Sequence, residues 1–193
     1  MHDRKDQILR VASELLLTRS FTSFSYQDLS DRLGIRKASI HHHFPTKDDL
    51  LVALTERYRL GQKKRLDEID ASQKTPWEKL EAYMDSITTI MESGNKICPL
   101  GSLQAELNVL PEAARDVLRQ LYETPKRWLT RVLTEGRTTG TMDFEGSPEE
   151  QAVVLLAALQ GGLQIARSQG PREFTAIVKQ IKLGLTAPVG KSR

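Results

Sequence analysis

Residues 23–54, SFSYQDLSDRLGIRKASIHHHFPTKDDLLVAL, carry the pattern that decides the fold of this chain. Ser25 and Asp28 have the reciprocal spacing of a capping box, which predicts a helix starting just after Ser25. Leu29 and Leu33 lie four residues apart and share its buried face. Gly34 ends that helix, because glycine enters the left-handed C-terminal conformation without a Cβ penalty. Ile35 resumes the apolar pattern. From Lys37 to Phe44 a second short helix is predicted, with Ile40 and Phe44 turned inward and Lys37, Ser39, His41 and His42 turned elsewhere. Thr46 and Asp49 cap a third helix, whose Leu50, Leu51 and Leu54 begin an apolar run toward Arg65. Two short helices about a tight glycine turn predict the helix-turn-helix arrangement, whose second helix enters the DNA major groove.

The residues Leu29, Leu33-Gly34-Ile35, Lys37-Ala38-Ser39-Ile40, His43-Phe44 and Lys47-Asp48-Asp49-Leu50-Leu51 stand in one register within Ile8–Leu54. In this they resemble the N-terminal domain of TetR-family transcriptional regulators. The remaining two thirds resemble that family only in helical layout and length. Position by position, the resemblance implies base contacts from Gln27, Lys37, Ala38, Ser39 and His41. It places Ser25, Tyr26, His42, His43 and Lys47 nearer the DNA backbone, and Arg36 belongs to the same DNA-binding set. Chemically, Lys37 can donate to guanine, Gln27 can pair with adenine, and the Ala38 methyl can meet a thymine methyl. At position 41 the family usually has tyrosine, so the base preference of His41 does not carry over.

Bulk properties agree with a globular chain. Of its 193 residues 39% are hydrophobic and 27% charged, and no apolar run approaches the roughly 20 residues of a membrane span. The charged N-terminus is unlike a secretory signal, and one cysteine excludes an internal disulfide framework. These features agree with a reducing cytosol, and the resemblance to TetR-family regulators implies a cytoplasmic bacterial protein, nucleoid-associated when bound, with no membrane partner. Charge is uneven: residues 1–65 hold 13 Lys/Arg against 8 Asp/Glu, and residues 66–193 hold 15 against 17. A basic head on a slightly acidic body fits a polyanion partner for the head alone, or simply a solvated basic surface.

Ile8, Leu9, Ala12, Leu15 and Leu16 predict an amphipathic helix over residues 3–19, with Phe21 and Phe24 closing a small core. The long helix from Lys47 leads to a domain junction near residues 65–74. Thr75-Pro76-Trp77-Glu78 and Ser147-Pro148-Glu149-Glu150 are strong helix starts, with cap, proline and glutamate in order. The first of these helices is expected to stop at Gly94. Pro99 and Gly101 read as interruptions before a short helix around Leu103–Asn108. A helix opening at Pro111-Glu112 ends before Gly140, and the one from Pro148 runs to about Gln169. Gly170-Pro171 separates it from a last helix ending near Leu185, followed by a disordered tail from Pro188 to Arg193. No segment alternates like a strand, so the predicted fold is all-α. Its domains are a helix-turn-helix domain over 4–64, with the motif at about 27–46, and an effector-binding and dimerisation domain over 75–187.

The triplet His41-His42-His43 does not predict a metal site, since consecutive helix residues point about 100° apart. No cofactor is expected. Cys98 lies at a helix break in KICPLGSLQAEL, where a helix N-terminus and Lys96 would raise its thiolate content. That stretch also resembles one in a TetR subgroup repressing reductases for electrophiles and quinones, where the cysteine is the sensor; the other reading is a buried small hydrophobe. An effector pocket is expected among Tyr83, Ile87, Met91, Cys98, Leu103, Leu107, Leu121, Tyr122 and Trp128, although most of these residues also suit a core. The helix from Pro148 is apolar nearly all round and contains Gly161-Gly162, which predicts a close-packed homodimer face. Its residues would be Leu155, Leu159, Gly162, Leu163, Phe174, Ile177, Val178, Ile181 and Leu185.

These features predict a homodimeric DNA-binding repressor on a near-palindromic duplex operator, released by a small-molecule or electrophile effector or by cysteine modification. The alternatives are a constitutive helix-turn-helix binder and a small helical enzyme. The enzyme reading has no phosphate loop, nucleophile elbow or paired metal-ligand spacing behind it.

Overall fold

A computed structural model describes residues 4–72, 74–92 and 98–186. The side chains of Ile90 and Met91, Lys96, the helix stop at Gly94 and the tail from Pro188 lie outside the described residues. Helices α1 (Arg4–Arg19), α2 (Tyr26–Leu33), α3 (Lys37–His43) and α4 (Lys47–Ala71) come first. They are followed by α5 (Pro76–Glu92), α6 (Pro99–Ala105), a 3-10 turn (Leu107–Val109), α7 (Glu112–Thr138), α8 (Pro148–Gln169) and α9 (Pro171–Leu185). The described residues contain no strand, and the fold is all-α.

Local chemistry places these boundaries. Ser25 accepts from the Gln27 and Asp28 amides while the Asp28 carboxylate accepts from the Ser25 amide at 2.8 Å, so orphan donors at the start of α2 are satisfied in both directions. Hydrogen bonds from Ser25 hold the Asp28 carboxyl below its ordinary pKa. Thr75 with Glu78 and Ser147 with Glu150 repeat the device at α5 and α8. Gly34 ends α2 at φ 63°, ψ 34°, the left-handed conformation its position demanded.

Pro99 does not interrupt a helix; it opens α6, and Gly101 lies inside it. Proline at the first helical position gives up an amide that has no partner there anyway, so it starts a helix more readily than it breaks one. Asn108, expected in this helix, falls in the 3-10 turn instead. The helix from Lys47 also continues past the expected change at Arg65, as far as Ala71.

The described helices pack as two units. The first takes Met1–Gln62 and Lys96–Tyr122, and the second Lys63–Asn95 and Glu123–Arg193. Helices α4 and α7 each supply residues to both units. In the first unit one core joins Ile8, Leu15 and Leu16 of α1 to Leu29, Ile40, Phe44 and Leu50, and extends to Leu100, Leu103, Leu118 and Leu121. Residues 98–122 thus pack with the N-terminal helices, although the sequence reading grouped them with the later ones. Leu100 and Leu103 are three residues apart on α6 and supply its apolar face. Polar contacts fix the same packing: the Ser102 hydroxyl donates to the Leu16 carbonyl at 3.5 Å, and Thr22 donates through amide and hydroxyl to the Glu106 carboxylate at 3.3 Å.

In the second unit α8 and α9 pack along their length. A Cβ on Gly162 would stand 3.0 Å from Ile177 Cδ1 and 3.1 Å from Phe174 Cδ2, so the glycine lets α9 come close. Phe174, Leu155 and Leu159 are 1%, 1% and 2% exposed, and Leu163 and Leu185 are buried as well. These residues were expected at a homodimer face, yet their own chain already covers them. Ile177, Val178 and Ile181 are half-buried. The opposite side of α8 remains open: Val153, Val154, Ala157, Gly161 and Ile165 are exposed, and a Cβ on Gly161 would meet no atom of another helix within 4 Å among the described residues. Apolarity around the whole helix marks one face that its own chain covers and one left exposed, but it does not say which face belongs to the chain itself.

Candidate nucleic-acid interface

Helix α3 buries Ile40, and Phe44 follows it into the core, so the remaining faces of its seven residues turn away from the first unit. Arg36, Lys37, Ala38, His41 and His42 are exposed, and Ser39 and His43 are half-buried. Lys37 and His41 are four residues apart, with Ala38 between them, which aligns the three as one stripe. A cation, a methyl and an imidazole therefore share a single exposed helical edge. The rings of His42 and His43 meet edge-on at 5.2 Å. No cluster able to hold a metal ion occurs among the described residues.

Other residues brace that edge rather than extend it. The Tyr26 ring is buried, and its hydroxyl lies 2.9 Å from the Phe44 carbonyl and 2.5 Å from the Thr46 carbonyl. It ties α2 to the turn that follows α3, and burial, with the charges of Asp49 and Asp48, pushes its pKa up to about 12. Lys47 donates to the Phe21 carbonyl at 2.6 Å and sits 4.4 and 4.8 Å above the Phe21 and Phe24 rings. Desolvation there lowers its pKa against the pull of Glu106, Asp28 and Asp48. Gln27 donates its amide to Asp31 at 2.6 Å, one turn along α2, so bidentate pairing with adenine requires that bond to open. Ser25 is committed to its capping box.

Sequence reasoning missed Asp31 and the Pro45 carbonyl, which lies 3.1 Å from His41 Nδ1. Side-chain spacing alone carries no sign of either. It also missed Tyr58 of α4, whose hydroxyl bonds Ser13 of α1 at 2.6 Å and whose pKa burial raises to about 12. A tyrosine four residues after Leu54, on the same helix face, was the available signal.

The expected effector residues divide between the units. Leu103 and Leu121 belong to the first core, with Cys98 and Tyr122 packed against it. In the second unit the Tyr83 and Trp128 rings lie 5.5 Å apart; both residues are buried, and Trp128 Nε1 has no hydrogen-bond partner among the described residues. Ile87 is half-buried on α5. Leu107 lines no interior: it is 45% exposed on the 3-10 turn, where the chain no longer follows the helical phase assumed for it.

Comparison with known proteins bears on what this edge does. Residues 8–54 match the family model of bacterial regulatory proteins of the tetR family, and residues 76–180 match the tetracyclin repressor-like C-terminal domain. The HTH-type transcriptional repressor NemR of Escherichia coli K12 is 28% identical over 178 residues, covering 89% of each chain. The crystal structure of a TetR-family regulator from Agrobacterium tumefaciens superposes with a TM-score of 0.91 at 33% identity, over 95% of this chain and 97% of that one. The reduced form of E. coli NemR superposes at 0.85 and 25% identity, over 98% and 100%. Both parts of the chain are thus matched together and in order, and the exposed edge of α3 lies within the residues matched to the tetR-family model: the chain belongs to the TetR family and is a DNA-binding transcriptional regulator.

Proposed function

We propose that this chain is a homodimeric repressor whose two α3 helices enter successive major grooves of a near-palindromic operator, about 34–36 Å apart or a multiple of that. The observation that carries this reading is the exposed Lys37–Ala38–His41 stripe on a helix whose other side is anchored by Ile40. Phosphate contacts would come from Arg36, His42 and the half-buried Lys47, while Ser25 and Tyr26 hold the scaffold. Residues 4–64 would form the DNA-binding domain, with α6 and the first turns of α7 in its core, and the rest of 75–187 would serve effector binding and dimerisation. Such a protein works in the cytoplasm, at the nucleoid when bound. It needs no cofactor and no catalytic role.

The second copy is assigned to the open side of α8, where Val154, Ala157, Gly161 and Ile165 form a stripe of small and apolar residues, with Leu183 exposed on α9. Control would enter through α6. Cys98 leads that helix, and Leu100 and Leu103 behind it lie in the core that holds α1. Bulk added to the half-buried thiol would press on that core, and an effector beside Tyr83 and Trp128 would act through α7, which supplies both units. Either signal releases DNA only if it favours one of two conformations by differential binding free energy.

Lys37 tests the reading directly. Lys37→Ala is expected to weaken binding to a selected operator by about tenfold and to reduce the log–log salt slope by about one. Fluorescence anisotropy across a salt series measures both. Unchanged affinity and slope would remove Lys37 from the interface.

A further inference from the structure

We infer that His41 reads an exocyclic amino group in the major groove, on adenine or cytosine, through the lone pair of its Nε2. This rests on the reading of α3 as the helix that enters the groove.

His41 Nδ1 lies 3.1 Å from the carbonyl oxygen of Pro45. A carbonyl can only accept, so Nδ1 carries the hydrogen. A neutral imidazole has one ring N–H, and Nε2 is then a bare acceptor. The ring is also held in orientation: the Tyr26 ring packs against it at 4.7 Å, inclined by 62°. Tyr26 is fixed in turn, because its hydroxyl is shared between the carbonyls of Phe44 and Thr46. Three consecutive carbonyls after α3 therefore position two side chains. The imidazole is oriented before any DNA arrives, which lowers the entropy lost on contact.

Groove chemistry then sorts the bases. In the major groove the hydrogens on adenine N6 and cytosine N4 are donors, whereas guanine O6 and N7 and thymine O4 are acceptors. An Nε2 lone pair pairs with the first set and opposes the second. Lys37 is one helical turn earlier on the same edge and can only donate, so it selects the other set. The edge thus carries two opposite polarities, and a half-site is expected to hold a guanine for Lys37 and an amino-bearing base for His41. A tyrosine hydroxyl, which both donates and accepts, would impose no such choice.

Selection from random duplexes, run in parallel on wild type and His41→Ala, tests this. Wild type is expected to enrich one half-site position for adenine or cytosine on the contacted strand, and His41→Ala to lose that preference alone. Replacing that base with an analogue bearing hydrogen for the amine should weaken wild type about tenfold per half-site and leave His41→Ala unaffected. The analogue arm uses wild-type protein, so it stands even if the variant folds poorly. A His41-dependent position at which removing the amine leaves wild-type affinity unchanged overturns the inference, since every base pair carries one such amino group and selection alone does not name the contacted strand. So does a uniform loss of affinity across sequences, which would put the ring on phosphate. If wild type enriches no sequence at all, the operator-binding reading itself fails; if it enriches a motif untouched by His41→Ala and by the analogue, only this inference does.

Discussion

Ile165→Arg is expected to give a folded monomer that binds an operator duplex at least about a hundredfold more weakly than wild type. Ile165 is 46% exposed on the open side of α8, so arginine there displaces no core side chain of its own chain. In a two-fold contact the same face meets itself, and the substitution buries two guanidinium groups in an apolar seam without acidic partners. The affinity loss follows from geometry. Two reading heads in one dimer bind a second half-site as an intramolecular event, and two monomers do not. Sedimentation at micromolar concentration and anisotropy on the same sample separate the two effects. A variant that remains dimeric with wild-type affinity would move the interface elsewhere.

Phe174→Ala is expected to cost about 3–5 kcal/mol of stability. The ring is 1% exposed and packs on Gly162, where even a single added Cβ would be crowded, so its removal leaves a cavity that the neighbouring helices cannot close easily. The two variants are opposites. Were Phe174 an interface residue, its loss would show as a shift in dimerisation at constant protomer stability; as a residue covered by its own chain, it lowers the urea midpoint at every protein concentration. Urea unfolding of Phe174→Ala over a hundredfold range of concentration decides between these. A midpoint that falls only at low concentration contradicts the packing described.

How much of this was legible beforehand depends on whether the signal is local. Capping boxes at Ser25, Thr75 and Ser147 fixed helix starts, because both halves of each bond lie within three residues. Gly34 was equally readable from its required left-handed backbone. Pro99 misled the reading because proline marks both breaks and beginnings, and only the residues after it distinguish them. The membership of α6 in the first core rests on contacts between residues far apart in sequence, such as Ser102 with Leu16, which no periodicity records. On α8 the pattern revealed an apolar circumference but assigned to a partner the face that its own chain buries, since apolarity carries no label for its owner. At the DNA edge the residue types were legible. What they do there was not: Tyr26 and Lys47 look like free surface donors in sequence, yet the Tyr26 hydroxyl is held between the carbonyls of Phe44 and Thr46, and the Lys47 ammonium gives one of its three hydrogens to the Phe21 carbonyl. The tautomer of His41 is set by a carbonyl, a group every residue has, and so leaves no mark in the sequence.

In the proposed repressor, α3 of two copies reads DNA by sequence. Selection of bound fragments from a random duplex pool by the wild-type protein tests it most directly. The expected result is an enriched motif with two-fold symmetry, half-sites centred about one helical turn or a multiple apart, and a weakened preference at one position of each half-site in Lys37→Ala. Enrichment of no motif, or of one that is asymmetric and indifferent to Lys37→Ala, would contradict it.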